Sequence, residues 1–223
     1  MYRTKLSDRQ LPSYSKKEEL TNTITHIIGG VIGGCISLLC CIKAFRYGTI
    51  PSIIGCIIFL SSIVALYSMS SIYHGLKPGT AKKIMQIMDH CTIYFLICGT
   101  YTPILLGAFL PVYPKISWGL LGFLWLLAAI SITLTAIDLK KYNIFSMICY
   151  ICMGWSILPF ITQAIDVLTT NGFYILLSGG IVYTIGAVLY GIGSKIRWFH
   201  SIFHVFVVLG TTLQAISILL YAT

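Results

Sequence analysis

The chain has 223 residues, 57% of them hydrophobic and only 9% charged, with a mean hydropathy of +0.89. An ordinary soluble domain is about a quarter charged, so this composition excludes one and predicts an integral membrane protein. The net charge of +9 does not signal a nucleic-acid partner, because the basic residues fall in short clusters between apolar runs and never build one long basic face.

Residues 1–19 form a charged tail without the apolar core of a cleavable signal peptide, so the first apolar segment is expected to act as an uncleaved anchor. Stretches of the roughly 20 residues needed to span a bilayer follow near 20–42, 50–74, 84–109, 116–137, 143–165, 173–192 and 198–222. Short connections between them predict an all-α, seven-helix transmembrane bundle over residues 20–223, with sequential helices antiparallel. Twelve Lys and Arg fall on the side of the N-terminus: Arg3, Lys5, Arg9, Lys16, Lys17, Lys77, Lys82, Lys83, Lys140, Lys141, Lys195 and Arg197. Only Lys43, Arg46 and Lys115 fall on the other. The positive-inside rule then puts the N-terminus in the cytoplasm and the C-terminus outside.

Details within the spans fit a packed bundle. Gly29 with Gly33, and Gly30 with Gly34, are spaced to admit a neighbouring helix. Pro103 and Pro159 should kink the third and fifth spans. Trp118 and Trp198 fall near span ends, where indole rings prefer the interface. All eight cysteines lie in apolar segments, so no disulfide framework is expected, and the Cys149-x-x-Cys152 pair lacks the context of a redox motif.

The informative residues are polar ones in apolar surroundings. Of six acids, only Asp89 lies clearly inside a span, where a carboxylate costs about 2.5 to 3.5 kcal/mol and by default marks a functional site. His200 and His204 are four apart, so on a helix they share one face, which is a metal-ligand spacing. With the N-terminus cytoplasmic, His26, His74, His90, His200, His204 and Asp89 all fall in the same cytoplasmic half of the membrane. Three imidazoles with one open position make a catalytic zinc site, and His74, His200 and His204 are the best trio. Asp89 is suited to hold or deprotonate the zinc-bound water. Ser70, one turn before His74 on the same face, is placed to orient that water or Asp89, with helix packing as the competing reading. His26 and His90 read better as hydrogen-bonded packing residues than as ligands.

The pieces N-x-x-x-H at Asn22–His26, S-x-x-x-H at Ser70–His74, DHCTIYFLICGTYTP at Asp89–Pro103 and H-x-x-x-H at His200–His204 resemble the hemolysin III and progestin/adipoQ receptor family. The resemblance runs from about residue 18 to the end, and the short tails resemble the bacterial hemolysin III branch. It implies a multi-pass protein of the bacterial plasma membrane with a hydrolase site like that of the related alkaline ceramidases. The zinc ligands would be His74, His200 and His204, with Ser70 and Asp89 beside them. The expected activity is zinc-dependent cleavage of a lipid amide or ester bond. Three alternatives stay open: a pore-forming hemolysin or channel, a zinc-stabilised lipid sensor without turnover, and, more remotely, bis-histidine haem ligation.

Overall fold

The structure is a computed structural model that describes residues 4–193 and 196–223; Arg3 and Lys195, two of the basic residues behind the expected orientation, lie outside the described residues. Its long elements are α1 (Lys16–Tyr47), α2 (Ile50–Gly75), α3 (Thr80–Pro103), α4 (Pro114–Ile137), α5 (Asn143–Gly154), α6 (Ile161–Gly193) and α7 (Phe199–Tyr221), and no strand occurs among the described residues. Among the described residues, six helical stretches are long and apolar enough to cross a bilayer, and five of them match the first four and the last expected spans. The remaining stretch, Asn143–Ile192, covers the fifth and sixth. Fifty residues of unbroken helix would run roughly 75 Å against a hydrocarbon core of about 30 Å, so this stretch cannot cross as one straight rod. It is interrupted twice. α5 ends at Gly154 and a short 3₁₀ turn at Leu158–Phe160 holds Pro159. Within α6, Thr169 is non-helical, with φ 62° and ψ 166°, and its Oγ1 accepts from Gly172 N at 3.4 Å, as an N-cap does.

Local chemistry explains where the helices begin. Ser15 and Glu18 form a reciprocal capping box, so α1 starts at Lys16 and absorbs the last residues of the expected tail. Thr49 caps α2 through Ser52 N, with Pro51 just inside the helix, and Pro114 opens α4. At Pro103 the regular α-helix ends and the chain continues as a π-helical turn, Ile104–Phe109. Ser117 Oγ donates to Leu105 O at 2.7 Å and helps satisfy this irregular turn.

The helices pack as a bundle whose outer surface carries many exposed Leu, Ile, Val and Phe side chains, the surface a bilayer solvates. A Cβ on Gly29 would lie 2.5 Å from the Tyr67 ring and 2.6 Å from Val208, so α1 meets α2 and α7 there at backbone distance. Gly34 has nothing within 4 Å, so the second glycine pair is only half used for packing. Tyr67 donates to Thr211 Oγ1 at 2.8 Å, and the Tyr183 hydroxyl lies 2.6 Å from the same oxygen, joining α2, α6 and α7. At one end Lys43 donates to Leu219 O at 2.8 Å, satisfying a terminal carbonyl of α7. All eight cysteines are free; Cys149 is buried and Cys152 exposed, so the C-x-x-C pair does not face one environment.

The N-terminal residues cross the opposite end of the bundle. Thr4 N donates to Asp138 Oδ2 at 3.0 Å, Arg9 to Ile137 O at 2.9 Å, and Lys83 to Ser7 O at 2.6 Å. This strap therefore runs over the start of α3 and the end of α4. Beneath it lie the histidines.

Candidate metal centre

α2 delivers His74 in its last turn, and α7 delivers His200 and His204 one turn apart on one face. His200 Nε2 lies 3.3 Å from His74 Nε2 and 3.1 Å from His204 Nε2, and one ligand atom from each of the three rings falls within a 4.8 Å cluster. Tetrahedral coordination at about 2.05 Å puts ligand nitrogens about 3.3 Å apart, and two of the three pairs already lie near that spacing, the third within 4.8 Å. Packing does not explain it well: the Nδ1 atoms of His200 and His204 have no hydrogen-bond partner, and three Nε2 atoms turned inward offer more lone pairs than protons. A cation resolves that conflict.

His74 is held from behind. Its Nδ1 lies 2.6 Å from Glu19 Oε2, and a carboxylate can only accept, so Nδ1 carries the proton and the Nε2 lone pair faces the trio. Asn22 Nδ2 lies 3.4 Å from the same nitrogen and cannot compete with that bond. Glu19 also accepts from Lys82 Nζ at 2.7 Å, and Lys82 donates to Leu76 O at 3.0 Å and His74 O at 3.4 Å, the free carbonyls at the end of α2. Glu18, its neighbour, serves a different purpose: besides capping α1 it accepts from Trp198 N at 2.8 Å and anchors the start of α7. Sequence reasoning left both acids in a tail. The capping box at Ser15 was the available signal that they lie on a helix, but nothing local linked Glu19 to a residue 55 positions away.

The other expected residues separate into two groups. Asp89, on α3, is buried and lines a cavity of about 150 Å³ together with Ser70, His200 and His204. Ser70 Oγ faces the Asp89 carboxyl but makes no formed hydrogen bond, so it is free to bond to something in the cavity. His26 stacks on His204, ring centroids 3.7 Å apart and planes 17° apart, with both nitrogens unpartnered. His90 lines the same cavity, with Nδ1 4.0 Å from Asp89 Oδ2, but stays outside the trio: that nitrogen is 2.8 Å from Gln86 O on its own helix and its Nε2 3.2 Å from the Tyr190 hydroxyl.

Away from the polar cluster the cavity is walled by apolar groups such as Leu66, Ile97, Phe203 and Val207, and it reaches Gln214. From His204 to Gln214 is roughly 15 Å along α7 by helical rise. The space is thus elongated, with Asp89, His200 and His204 at one end. Tyr14, from the strap, stacks on His200 and covers that end.

The chain matches the family described as Haemolysin-III related over residues 14–215. It is 34% identical over 205 residues to Hemolysin-3 of Bacillus cereus, covering 92% of each chain. It is 35% identical over 208 residues to the Hemolysin-3 homolog of Bacillus subtilis (strain 168), covering 93% of this chain and 96% of that one. A more distant likeness, 28% over 158 residues and 67% and 63% of the two chains, is to the human monocyte to macrophage differentiation factor.

Proposed function

The chain belongs to the haemolysin-III-related family of multi-pass bacterial membrane proteins, and we propose that it is a zinc-dependent hydrolase of a lipid amide or ester bond. The observation that carries this reading is the convergence of three Nε2 atoms, at 3.1 and 3.3 Å, beside a buried carboxyl at one end of an apolar cavity. The reading takes the chain as seven spans with a cytoplasmic N-terminus, so that substrate reaches the site from the cytoplasmic leaflet.

His74, His200 and His204 hold the ion, and Glu19 fixes His74 in the tautomer that ligation needs. Zinc, when bound, supplies a Lewis acid and lowers the pKa of water to about 7. Asp89 takes the proton of the attacking water and returns it to the leaving nitrogen or oxygen. Ser70 donates to Asp89 or to the carbonyl oxygen of the substrate. The apolar wall lies along the acyl chain and keeps bulk water out. Turnover by the zinc-loaded protein on a panel of ceramides, lysophospholipids and acylglycerols, with Asp89→Asn beside it, tests this. The reading expects fatty-acid release that falls at least 100-fold in the variant, and equal release from both would contradict it.

The names of the bacterial relatives motivate a second reading, membrane permeabilisation. Dye leakage from liposomes, equal for wild type and His204→Ala, would favour it over catalysis.

A further inference from the structure

We infer that Glu19 is a positioning residue of the metal centre, acting through His74, and that Lys82 is the counter-charge that holds it there. The inference rests on the metal-binding reading above and extends it to two residues outside the ligand set. Three observations carry it. First, the carboxylate is divided between two partners: Oε2 is 2.6 Å from His74 Nδ1 and Oε1 is 2.7 Å from Lys82 Nζ. A second-row carboxylate on the far nitrogen of a ligating imidazole fixes the ring and raises its basicity.

Second, burying an ammonium is costly unless it is paired and hydrogen-bonded, and Lys82 is both, against a Glu19 carboxylate that keeps only 20% of its side chain exposed. Lys82 is only 3% exposed, lies over the Tyr73 ring at 5.1 Å, and spends its remaining donors on the carbonyls of His74 and Leu76. The same ammonium therefore pins both the carboxylate and the backbone that carries His74. An ion pair serving only to join α1 to α3 would not need either contact with the end of α2.

Third, the two adjacent acids are not interchangeable. Glu18 is occupied by Ser15, Trp198 N and, at 3.8 Å, Arg197, so it cannot substitute for Glu19. His200 and His204 have no comparable partner on Nδ1. His200 and His204 are held from outside by ring stacking alone, so the hydrogen-bonded orientation of the ligand set falls on His74, the one ligand from outside α7.

The test is zinc affinity, measured by chelator competition on the full-length protein in detergent, with thermal melting of the metal-free forms as the control for folding. Glu19→Gln keeps the shape and loses the charge, and is expected to weaken zinc binding by about 10- to 100-fold. Its metal-free melting temperature is expected to fall, because buried Lys82 loses its counter-charge, so the affinities are compared well below both melting temperatures, where both proteins are fully folded. Glu19→Asp, which keeps the charge but withdraws it, should fall between the two. An unchanged Kd in Glu19→Gln, with wild type binding zinc, overturns this inference alone; a wild type that binds no zinc overturns it together with the metal reading. Should Glu19→Gln not fold, ¹⁵N-histidine spectra of zinc-loaded wild type decide. A His74 ring protonated at Nδ1 and ligating through Nε2 supports the assignment, and ligation through Nδ1 overturns it.

Discussion

The ring of Tyr14 lies stacked on that of His200, with centroids 4.8 Å apart and planes inclined by 18°. Tyr14 belongs to the strap, not to a spanning helix, so this contact covers one face of the candidate metal site from the side where the N-terminus crosses the bundle. Replacing Tyr14 by Ala should open a path for water and small chelators without touching a ligand. Zinc loss to excess EDTA is expected to speed up about tenfold or more while stoichiometry stays unchanged. Stopped-flow with a chromogenic chelator measures it.

The histidines should divide by role. His204→Ala removes a member of the trio and should abolish tight zinc binding. His90→Gln removes a ring whose nitrogens face Gln86 O and Tyr190, and should leave zinc content unchanged. His26→Phe keeps a stacked ring on His204 and should also retain the metal. Elemental analysis of the three purified variants checks all of this in one series.

Close approach of α1 to its neighbours makes another prediction. Gly29→Ala would place a methyl 2.5 Å from the Tyr67 ring and 2.6 Å from Val208, an overpacking that costs about 1 to 3 kcal/mol. Gly34→Ala meets nothing within 4 Å and should be neutral. Thermal unfolding in detergent should separate the two variants by several degrees.

The strap has a pH signature. Hydrogen bonds from Thr4, with those from Lys141 N and the charge of Arg9, hold the Asp138 carboxyl down at about 2, below its ordinary value of about 3.9. A carboxyl depressed in the folded state contributes stability that is fully present above the unfolded value and is lost as pH falls through the folded one. Between pH 7 and 5 the tether should therefore not change. Asp138→Asn should release residues 4–9 at pH 7, seen as faster amide hydrogen exchange there than in wild type.

Features governed by local pattern were legible in the sequence. His200 and His204 stand out because helical periodicity puts positions four apart on one face, and Asp89 because a lone acid in an apolar run needs a reason. The pairing of these with His74 followed from depth alone, and the structure brings all three rings together. What stayed hidden depends on partners far away in sequence or on irregular backbone. Glu19 acquires its meaning from His74 and Lys82, on two other helices. The interruption of α6 at Thr169 was legible, because the polar run Thr169-Thr170-Asn171-Gly172 falls in the gap expected between residues 165 and 173; only the reversal of φ there was not. Tyr14 lies in a segment without periodicity, where nothing indicates what it will touch.

Metal analysis of the purified protein, wild type beside His200→Ala, tests the central claim most directly. The expected result is about one zinc ion per wild-type chain and almost none in the variant, since two ring nitrogens cannot replace three in a closed set. A wild type free of zinc, or a variant that keeps its full complement, would contradict the reading of His74, His200 and His204 as a metal site.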